Sequence, residues 1–91
     1  MKLKKEVVIR KMAGKYIVIA TGELHEIYKD ILKLNEDAGN IVLLLQNDTT
    51  KEEMLEVLYE QYEANNQEKE IIKKDVESIL DMLKENQLLE D

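Results

Sequence analysis

The sequence predicts an α+β fold, in which a three-stranded antiparallel sheet is followed by three helices that cover one of its faces. Two runs rich in β-branched residues, at positions 7–12 and 16–21, are joined by a short link that contains glycine. Apolar residues then recur at helical spacing in three later segments. With 91 residues, 44% of them hydrophobic, the chain is expected to form one domain, residues 1–91, around a single core.

The predicted sheet comes first in the chain. The link Ala13-Gly14-Lys15 is short enough to make a hairpin of the first two strands. Residues 23–27 are expected to be a polar connection, and residues 28–34 a third strand. Because side chains alternate along a strand, the apolar residues near its end are expected to face the core.

The first helix is predicted over residues 36–46, directly after the third strand. Asn35 suits its N-cap, since the side-chain oxygen can accept from the free backbone N–H groups of the first turn. Glu36 and Asp37 then lie where the helix dipole favours negative charge. The sequence therefore predicts a strand that ends directly in a capped helix.

Two further helices are predicted after the first. Thr50 and Glu53 indicate a capping box at the start of the second, where each side chain satisfies a free backbone N–H of the other. The third helix is predicted over residues 68–86 from its apolar stripe. Leu88 and Leu89 are expected to fold back on the core after it.

The net charge of −7 is unevenly distributed. Residues 1–22 carry six Lys or Arg and one Glu, whereas residues 23–91 carry seven Lys and 19 Asp or Glu. The acidic body discourages phosphate binding, because affinity for DNA rests largely on Lys and Arg. The basic segment alone could favour an anionic partner, although a solvated strand face is the more frequent meaning of such a run.

The chain has no features of export or of a membrane protein. Cysteine is absent, so disulfides and thiolate metal sites are excluded. No apolar run approaches the ~20 residues of a membrane helix. The basic N-terminal segment lacks the apolar stretch of a secretory signal. We therefore expect a cytoplasmic protein that does not bind membranes.

Residues that could form a catalytic or metal site are few. His25 is the only histidine and Ser78 the only serine, and neither has a partner at a recognisable spacing. Glu23, His25 and Glu26 form a weak set of metal ligands, and a surface loop is the more frequent meaning. The three isolated glycines make no phosphate-binding loop. The chain is therefore expected to bind a partner without catalysis, metal or cofactor.

Three strands and three helices are also the elements of a winged helix-turn-helix protein, so DNA binding is the alternative function. The third helix would then read the DNA. Residues 68–86 carry four Lys and six Asp or Glu, and they lack a cluster of Arg, Asn or Gln suited to base edges. Since a phosphate backbone would repel this helix, binding to nucleic acid is disfavoured.

Four stretches of the chain carry a resemblance to a known family: VIRKMAGKYIVIATGE, LKLNEDAGNIVLLL, TTKEEMLEVLYEQY and DVESILDMLKENQLL. Their most specific features are the LNE junction that begins at Leu34, the T-x-x-E helix start at Thr50, and the D-V-x-x-I-L-x-x-L run that begins at Asp75. In order and spacing they resemble the PqqD-like family, whose members are also called RiPP recognition elements. The resemblance covers about residues 3–89.

The resemblance implies a winged-helix-like domain that is not itself catalytic. Such a domain binds the leader of a ribosomally made precursor peptide and presents it to a modifying enzyme, often a radical S-adenosylmethionine enzyme. In the best-known branch of the family the product is pyrroloquinoline quinone. The sequence leaves open the identity of the peptide and of the enzyme, and whether the chain forms a homodimer.

The resemblance also implies where the leader binds: it pairs as an added strand on the third strand and lies against the third helix. An unpaired strand edge suits this use, because its free N–H and C=O groups can bond to a peptide. A plain edge protected by charged side chains is the alternative. The predicted peptide-binding residues are Tyr28, Lys29, Asp30, Ile31, Leu32, Lys33, Ile72, Lys73, Val76 and Ile79.

These residues have different expected roles. On the strand, Tyr28 and Asp30 are expected to border the groove, with Lys29 and Lys33 in solvent. On the helix, three apolar residues are expected to form the groove wall, and Lys73 to pair with a carboxylate of the leader; the three are Ile72, Val76 and Ile79. The chain departs from the family at Asn40 and Val42, where aromatic residues are frequent, and at Gln87, where glycine is frequent.

Overall fold

The computed structural model describes residues 1–27 and 31–90 of the chain. The predicted class, α+β with a three-stranded antiparallel sheet and helices, is confirmed. In chain order the elements are β1 (Lys2–Leu3), β2 (Val7–Met12), β3 (Lys15–Ala20), α1 (Leu24–Ile27), β4 (Leu32–Leu34), α2 (Glu36–Leu43), a 3₁₀ turn (Leu44–Gln46), α3 (Lys51–Gln61), α4 (Asn66–Glu85) and β5 (Leu89–Glu90).

The three-stranded sheet has the order β2-β3-β4, and both of its pairings are antiparallel. Side chains of the central strand alternate between the two faces. Tyr16, Val18 and Ala20 are buried, whereas Ile17 and Ile19 are only half-buried. One face of the sheet therefore belongs to the core.

A two-residue turn joins β2 to β3. Ala13 and Gly14 both have positive φ, 50° and 78°, as a type I′ turn requires. The turn closes on Met12 and Lys15, which are partners in the register. The predicted hairpin is confirmed, and its link is one residue shorter than predicted because Lys15 belongs to β3.

The segment between β3 and β4 differs from the prediction. The polar connection predicted over residues 23–27 contains a helical turn, α1, whose Leu24 is only 4% exposed. The Leu24 side chain belongs to the core and holds the segment against it. The third strand is shorter than predicted, since Ile31 precedes β4 and residues 28–30 lie outside the described part of the chain.

Helix α2 begins as predicted and ends differently. The Oδ1 atom of Asn35 accepts from the N–H of Ala38 at 2.8 Å, which confirms the predicted N-cap. The α-helix ends at Leu43, and residues 44–46, predicted as α-helix, form a 3₁₀ turn. Both parts bury apolar side chains, as shown by Val42 and Leu45, which are fully buried.

Helices α3 and α4 begin with different caps. The Oγ1 atom of Thr50 accepts from the N–H of Glu53 at 3.2 Å, but the Glu53 carboxylate accepts from the Thr50 hydroxyl and not from its backbone N–H. The capping box predicted there is therefore only half formed. A complete one, with bonds of 2.8 and 3.1 Å, lies at Asn65 and Glu68. Because Asn65 is the cap, α4 begins at Asn66 and not at residue 68 as predicted.

An ion pair also joins α3 to α4. The Lys51 ammonium donates a hydrogen bond to the Glu77 carboxylate. This hydrogen bond raises the pKa of Lys51 and lowers the pKa of Glu77. Both side chains are in contact with solvent, so the pair adds little to the free energy of unfolding.

A second sheet, formed by β1 and β5, is absent from the sequence prediction. Leu3 pairs with Leu89, and the Lys4 N–H donates to the Leu88 carbonyl at 3.0 Å. Leu88 and Leu89 are 0% and 8% exposed, which confirms that they fold back on the core. Strands of two residues carry too short a pattern to be seen in the sequence.

One cluster of buried apolar side chains joins the sheet to the helices. β3 contributes Val18 and Ala20, and the three long helices contribute Val42, Leu58 and Leu80, among others. In residues 1–27 and 31–90, every buried side-chain nitrogen and oxygen has a hydrogen-bond partner. No helix within these ranges combines the length and the apolar character needed to span a membrane.

Candidate functional site

β4 is an edge strand, because β3 lies on one side of it and no other described strand pairs with its opposite side. The direction of its backbone groups follows from the hairpin. Met12 and Lys15 close the type I′ turn as a hydrogen-bonded pair, and such pairs alternate along antiparallel strands. Ile17 therefore bonds to β2, whereas Tyr16 and Val18 direct their N–H and C=O groups towards β4.

The open edge of β4 is centred on Lys33. Leu32 and Leu34, the partners of Val18 and Tyr16, use their backbone groups to bond to β3. Lys33 lies between them and directs its N–H and C=O groups to the open side. Its side chain is exposed, while those of Leu32 and Leu34 are half-buried, which confirms the predicted alternation. A peptide strand could bond to this edge without disturbing the sheet.

A groove begins where β4 passes into α2. It consists of two hollows of about 220 and 250 Å³, which share Asp37, Ile41 and Asp75 and are therefore continuous. The smaller of the two, here called the junction hollow, lies next to the end of β4. The larger, here called the helical hollow, extends between α3 and α4. The junction hollow is further lined by Asn35, Ala38, Ser78 and Ile79, and the helical hollow by Leu58, Tyr62, Glu68, Ile71 and Ile72.

A chain of hydrogen bonds positions one carboxylate of this groove. The Tyr16 hydroxyl donates to Asn40 Oδ1 at 3.3 Å, and Asn40 Nδ2 donates to the Tyr62 hydroxyl at 3.2 Å. The Tyr62 hydroxyl in turn donates to Asp37 Oδ1 at 3.3 Å. The Asp37 carboxylate is thus connected to β3, to α2 and to the C-cap residue of α3. Asn40, one of the departures from the family pattern, supplies the polar link between the two tyrosines.

The four residues of α4 predicted to face a peptide lie in three different environments. Ile72 lines the helical hollow and Ile79 the junction hollow, and both are half-buried. Lys73 is exposed and lines neither hollow. Val76 is 0% exposed, so its prediction as a groove wall is wrong. It lies one helical turn from the buried Leu80, on the stripe that faces the core.

Sequence reasoning missed the face of α4 that lines the groove. Glu68, Ile71, Asp75 and Ser78 follow one another at intervals of three or four residues, which places them on one face. This groove face lies beside the buried stripe of the same helix. Ile71, an isoleucine that is 60% exposed among charged neighbours, was the signal that could have revealed it.

The groove has the composition of a binding surface. Ser78 lines the junction hollow, where no histidine or lysine of the described residues accompanies it as a base. His25 is exposed on α1 and lines neither hollow. Over residues 1–27 and 31–90, no three histidine, aspartate or glutamate side chains are grouped so that they could hold a metal ion. Apolar side chains, carboxylates and a free strand edge are what this region presents.

The family model for coenzyme PQQ synthesis protein D (PqqD) matches residues 15–89. The chain belongs to the PqqD family. This match confirms the resemblance that the four sequence stretches carry. The matched part of this PqqD-family chain extends from β3 to the start of β5, so it contains both the open edge of β4 and the whole groove.

A solved structure has the same fold as this PqqD-family chain. It is the structure of TbiB1 in complex with the TbiA(beta) leader peptide, and its TM-score is 0.73. The superposition covers 99% of this chain and 95% of that chain, and 19% of the aligned residues are identical. At this identity the likeness shows the fold alone. No curated protein is significantly similar to the chain in sequence.

Proposed function

We propose that this protein is a non-catalytic peptide chaperone, which binds the leader of a ribosomally synthesised precursor peptide and presents it to a modifying enzyme. The observation that carries the proposal is the open edge of β4 beside a groove, in a chain of the PqqD family. TbiB1, which shares the fold, binds a leader peptide in its solved structure. The leader of the present protein would add as a strand beside β4.

Strand addition to β4 needs side-chain contacts as well as backbone hydrogen bonds. Each new backbone hydrogen bond contributes only ~0.5–1.5 kcal/mol net, and β4 has 3 residues. Micromolar affinity corresponds to about 8 kcal/mol. The remainder has to come from apolar side chains of the leader that are buried in the groove, against Ile41, Ile72 and Ile79.

The proposed binding surface therefore combines the strand edge at residues 31–33 with the groove face of α4. Ile72 and Ile79 form its apolar wall, and the buried Val76 supports them from the core side. Tyr28, Lys29 and Asp30 would extend the strand edge towards the N-terminus, as predicted from the sequence.

The modifying enzyme in this proposal is a radical S-adenosylmethionine maturase, the partner that the family resemblance implies. Its product would be pyrroloquinoline quinone or another natural product made from a ribosomal peptide. A short precursor gene and a radical-enzyme gene are expected beside the gene of this protein. An isolated gene with an upstream palindrome would favour DNA binding instead.

Lys33→Pro tests strand addition directly. Proline removes the N–H that points to the open side of β4, and it leaves the bonds of Leu32 and Leu34 to β3 in place. We expect this change to weaken binding of a synthetic leader, taken from the precursor encoded beside the gene, by about tenfold or more. Isothermal titration calorimetry measures the affinity, and circular dichroism checks the fold.

Two control variants separate the backbone effect from others. Lys33→Ala removes the same side chain but keeps the N–H, so it should bind the leader nearly as well as the parent protein. Lys11→Pro places proline at an outward-facing position of β2, the opposite edge of the sheet. If Lys11→Pro abolished binding and Lys33→Pro did not, the leader would add to β2 and the proposed site would be wrong.

A further inference from the structure

The groove beside β4 is lined by buried or half-buried isoleucines and by exposed carboxylates. Ile41 lies in both hollows, with Ile72 on one side and Ile79 on the other. Asp37 and Asp75 also line both hollows, and Glu68 lines the helical hollow alone. Among the described residues, no lysine or arginine lines either hollow. An occupant would therefore meet apolar contacts and negative charge from the described lining.

The exposed apolar side chains of the helices add to this surface. Ile71 is 60% exposed and Tyr62 38% exposed, and both line the helical hollow. Exposed apolar side chains that line one hollow are a common feature of interaction surfaces. The occupant is thus expected to cover apolar surface as well as to approach the carboxylates.

The Asp37 carboxylate is held in position before any partner arrives. Its Oδ1 atom accepts from the Tyr62 hydroxyl, which is itself bonded to Asn40. Neither Asp37 nor Asp75 forms a salt bridge with another described residue. The Asp37 carboxylate has a hydrogen-bond donor on one oxygen and no positive partner among the described residues. It can therefore accept hydrogen bonds from a cation of the occupant.

We propose that the peptide which adds to β4 places an aliphatic side chain over Ile41, and that a neighbouring lysine or arginine of the peptide pairs with Asp37 and Asp75. This proposal rests on the proposed function and specifies the chemical class of the leader: an aliphatic residue accompanied by a cation. It replaces the pairing expected from the sequence, in which Lys73 binds a leader carboxylate. Lys73 lines neither hollow, whereas the two aspartates line both.

Selection from a displayed library of random peptides, long enough to span β4 and both hollows, tests this specificity without knowledge of the natural leader. Peptides retained by the parent protein are expected to carry Lys or Arg close to Leu, Ile or Val. The double variant Asp37→Asn/Asp75→Asn should lose this preference, because asparagine keeps the size of the side chain and removes the charge.

A matched control excludes attraction by the net charge of −7. The double variant Asp81→Asn/Glu85→Gln removes two negative charges from α4 at positions that line neither hollow. It should keep the preference for cationic peptides. For one selected peptide, we expect the groove variant, Asp37→Asn/Asp75→Asn, to bind about tenfold more weakly or worse, because hydrogen bonds to charged groups are lost. The control variant should bind nearly as well as the parent protein.

A charge reversal adds a gain of function to the test. Asp75→Lys places a cation in the groove. This variant should therefore select peptides with Asp or Glu next to an aliphatic residue, instead of the cationic peptides that the parent protein selects. Circular dichroism confirms that each variant is folded, and the exposed position of Asp75 makes it tolerant of substitution.

The proposal is overturned if the parent protein selects peptides without a cationic preference, or if the groove variant keeps that preference. The proposed function is tested separately, by the genomically encoded leader and Lys33→Pro. If Lys33→Pro still binds the selected peptides and the groove variant does not, strand addition to β4 is wrong, and only the charge pairing with Asp37 and Asp75 is supported. If Lys33→Pro loses them and the groove variant does not, strand addition stands and the charge pairing is wrong.

Discussion

At Gly39, helix α2 lies close against the sheet. It is buried, and a Cβ atom at this position would overlap the ring of Tyr16. Tyr16 is itself buried on β3 and is the partner of Leu34 in β4. The absence of a side chain at Gly39 therefore sets the distance between α2 and the sheet, and with it the position of the groove.

We predict that Gly39→Ala lowers the free energy of unfolding by about 1–3 kcal/mol, the usual cost of adding a methyl group to a filled site. Alanine favours helix over glycine by up to about 1 kcal/mol, but the overlap with a buried aromatic ring outweighs this gain. Urea denaturation measures the difference. In a Tyr16→Leu background the ring is gone, so the same change should cost much less. An equal cost in both backgrounds would mean that Tyr16 is not the obstacle.

Gln87 ends α4 in a left-handed conformation, with φ of 60°. The Gln87 N–H donates to the Lys84 carbonyl at 3.1 Å, and the Leu88 N–H donates to the Leu83 carbonyl at 2.9 Å. This pair of bonds is the Schellman motif, which usually has glycine at the left-handed position. The departure from the family pattern at Gln87 therefore stores strain at the turn that brings Leu88 into the core.

Gln87→Gly is predicted to raise the free energy of unfolding, by up to about 1 kcal/mol. A left-handed conformation costs residues other than glycine roughly 1–2 kcal/mol, and Gln87→Gly would remove this cost. The greater freedom of glycine in the unfolded chain offsets about 0.5–1 kcal/mol of the stabilisation. Gln87→Ala is the control: it keeps a Cβ atom and should not stabilise the protein. Equal urea midpoints for the two variants would contradict the strain.

Among the elements, α4 is the one that both packs on the core and lines the groove, and it uses a different face for each. Its buried stripe, with Val76, Leu80 and Leu83, packs on the core, while its groove face presents Ile71 and Asp75 to the surface. The complete capping box fixes where the helix begins, and the Schellman motif where it ends. With both ends defined, the core stripe determines the rotation of the helix and therefore which residues face the groove.

Leu80→Ala is predicted to lower the free energy of unfolding by about 2–5 kcal/mol, the usual loss for a buried leucine. Leu80 is 4% exposed, so the cavity left behind would lie in the core. Leu34 is half-buried on β4, so Leu34→Ala should lower the free energy of unfolding by less than Leu80→Ala does. Ile71→Ala is the matched control on α4: its side chain is 60% exposed, and its loss should change stability by less than about 0.5 kcal/mol. Equal losses at positions 71 and 80 would mean that α4 is rotated.

At the scale of the whole molecule, charge is divided between the two parts of the fold. The basic residues 1–22 form β1, β2 and β3, and the acidic remainder forms the helices together with β4 and β5. Helix α4 is the helix that would enter the major groove of DNA. Its face towards the groove of this protein carries carboxylates, including Glu68 and Asp75. A phosphate backbone would therefore be repelled by the surface that a winged-helix protein presents to DNA.

We predict that the protein forms no discrete complex with double-stranded DNA from the region upstream of its own gene. A gel-shift assay at physiological salt is the measurement, with excess non-specific DNA as competitor. Weak binding through the basic residues 1–22 would disappear as salt is raised. A sequence-specific shift that survived the competitor would contradict the peptide-binding proposal and restore the winged-helix alternative.

The fold was largely predictable from local patterns, and the candidate site only in part. Lys33 lies at the strand edge, and Ile72 and Ile79 line the groove, while their role in peptide binding stays a prediction. Val76 was predicted beside them and is fully buried. Asp37 was predicted only as a residue of the first helical turn, although it also lines both hollows. Each miss concerns the direction a side chain faces, which depends on neighbours distant in the sequence.

The sequence by itself determined the three strands of the main sheet, the three long helices and the caps at Asn35 and Thr50, because these follow from spacings and hydrogen bonds within a few residues. The order and spacing of its motifs determined the family. Only the tertiary structure decided which apolar residues are buried. Ile71 and Ile72 are adjacent and chemically identical, yet Ile71 is 60% exposed and Ile72 packs against the core. The difference arises because burial is set by the elements packed on either side of a helix, and one face of α4 is covered while the next borders an open groove.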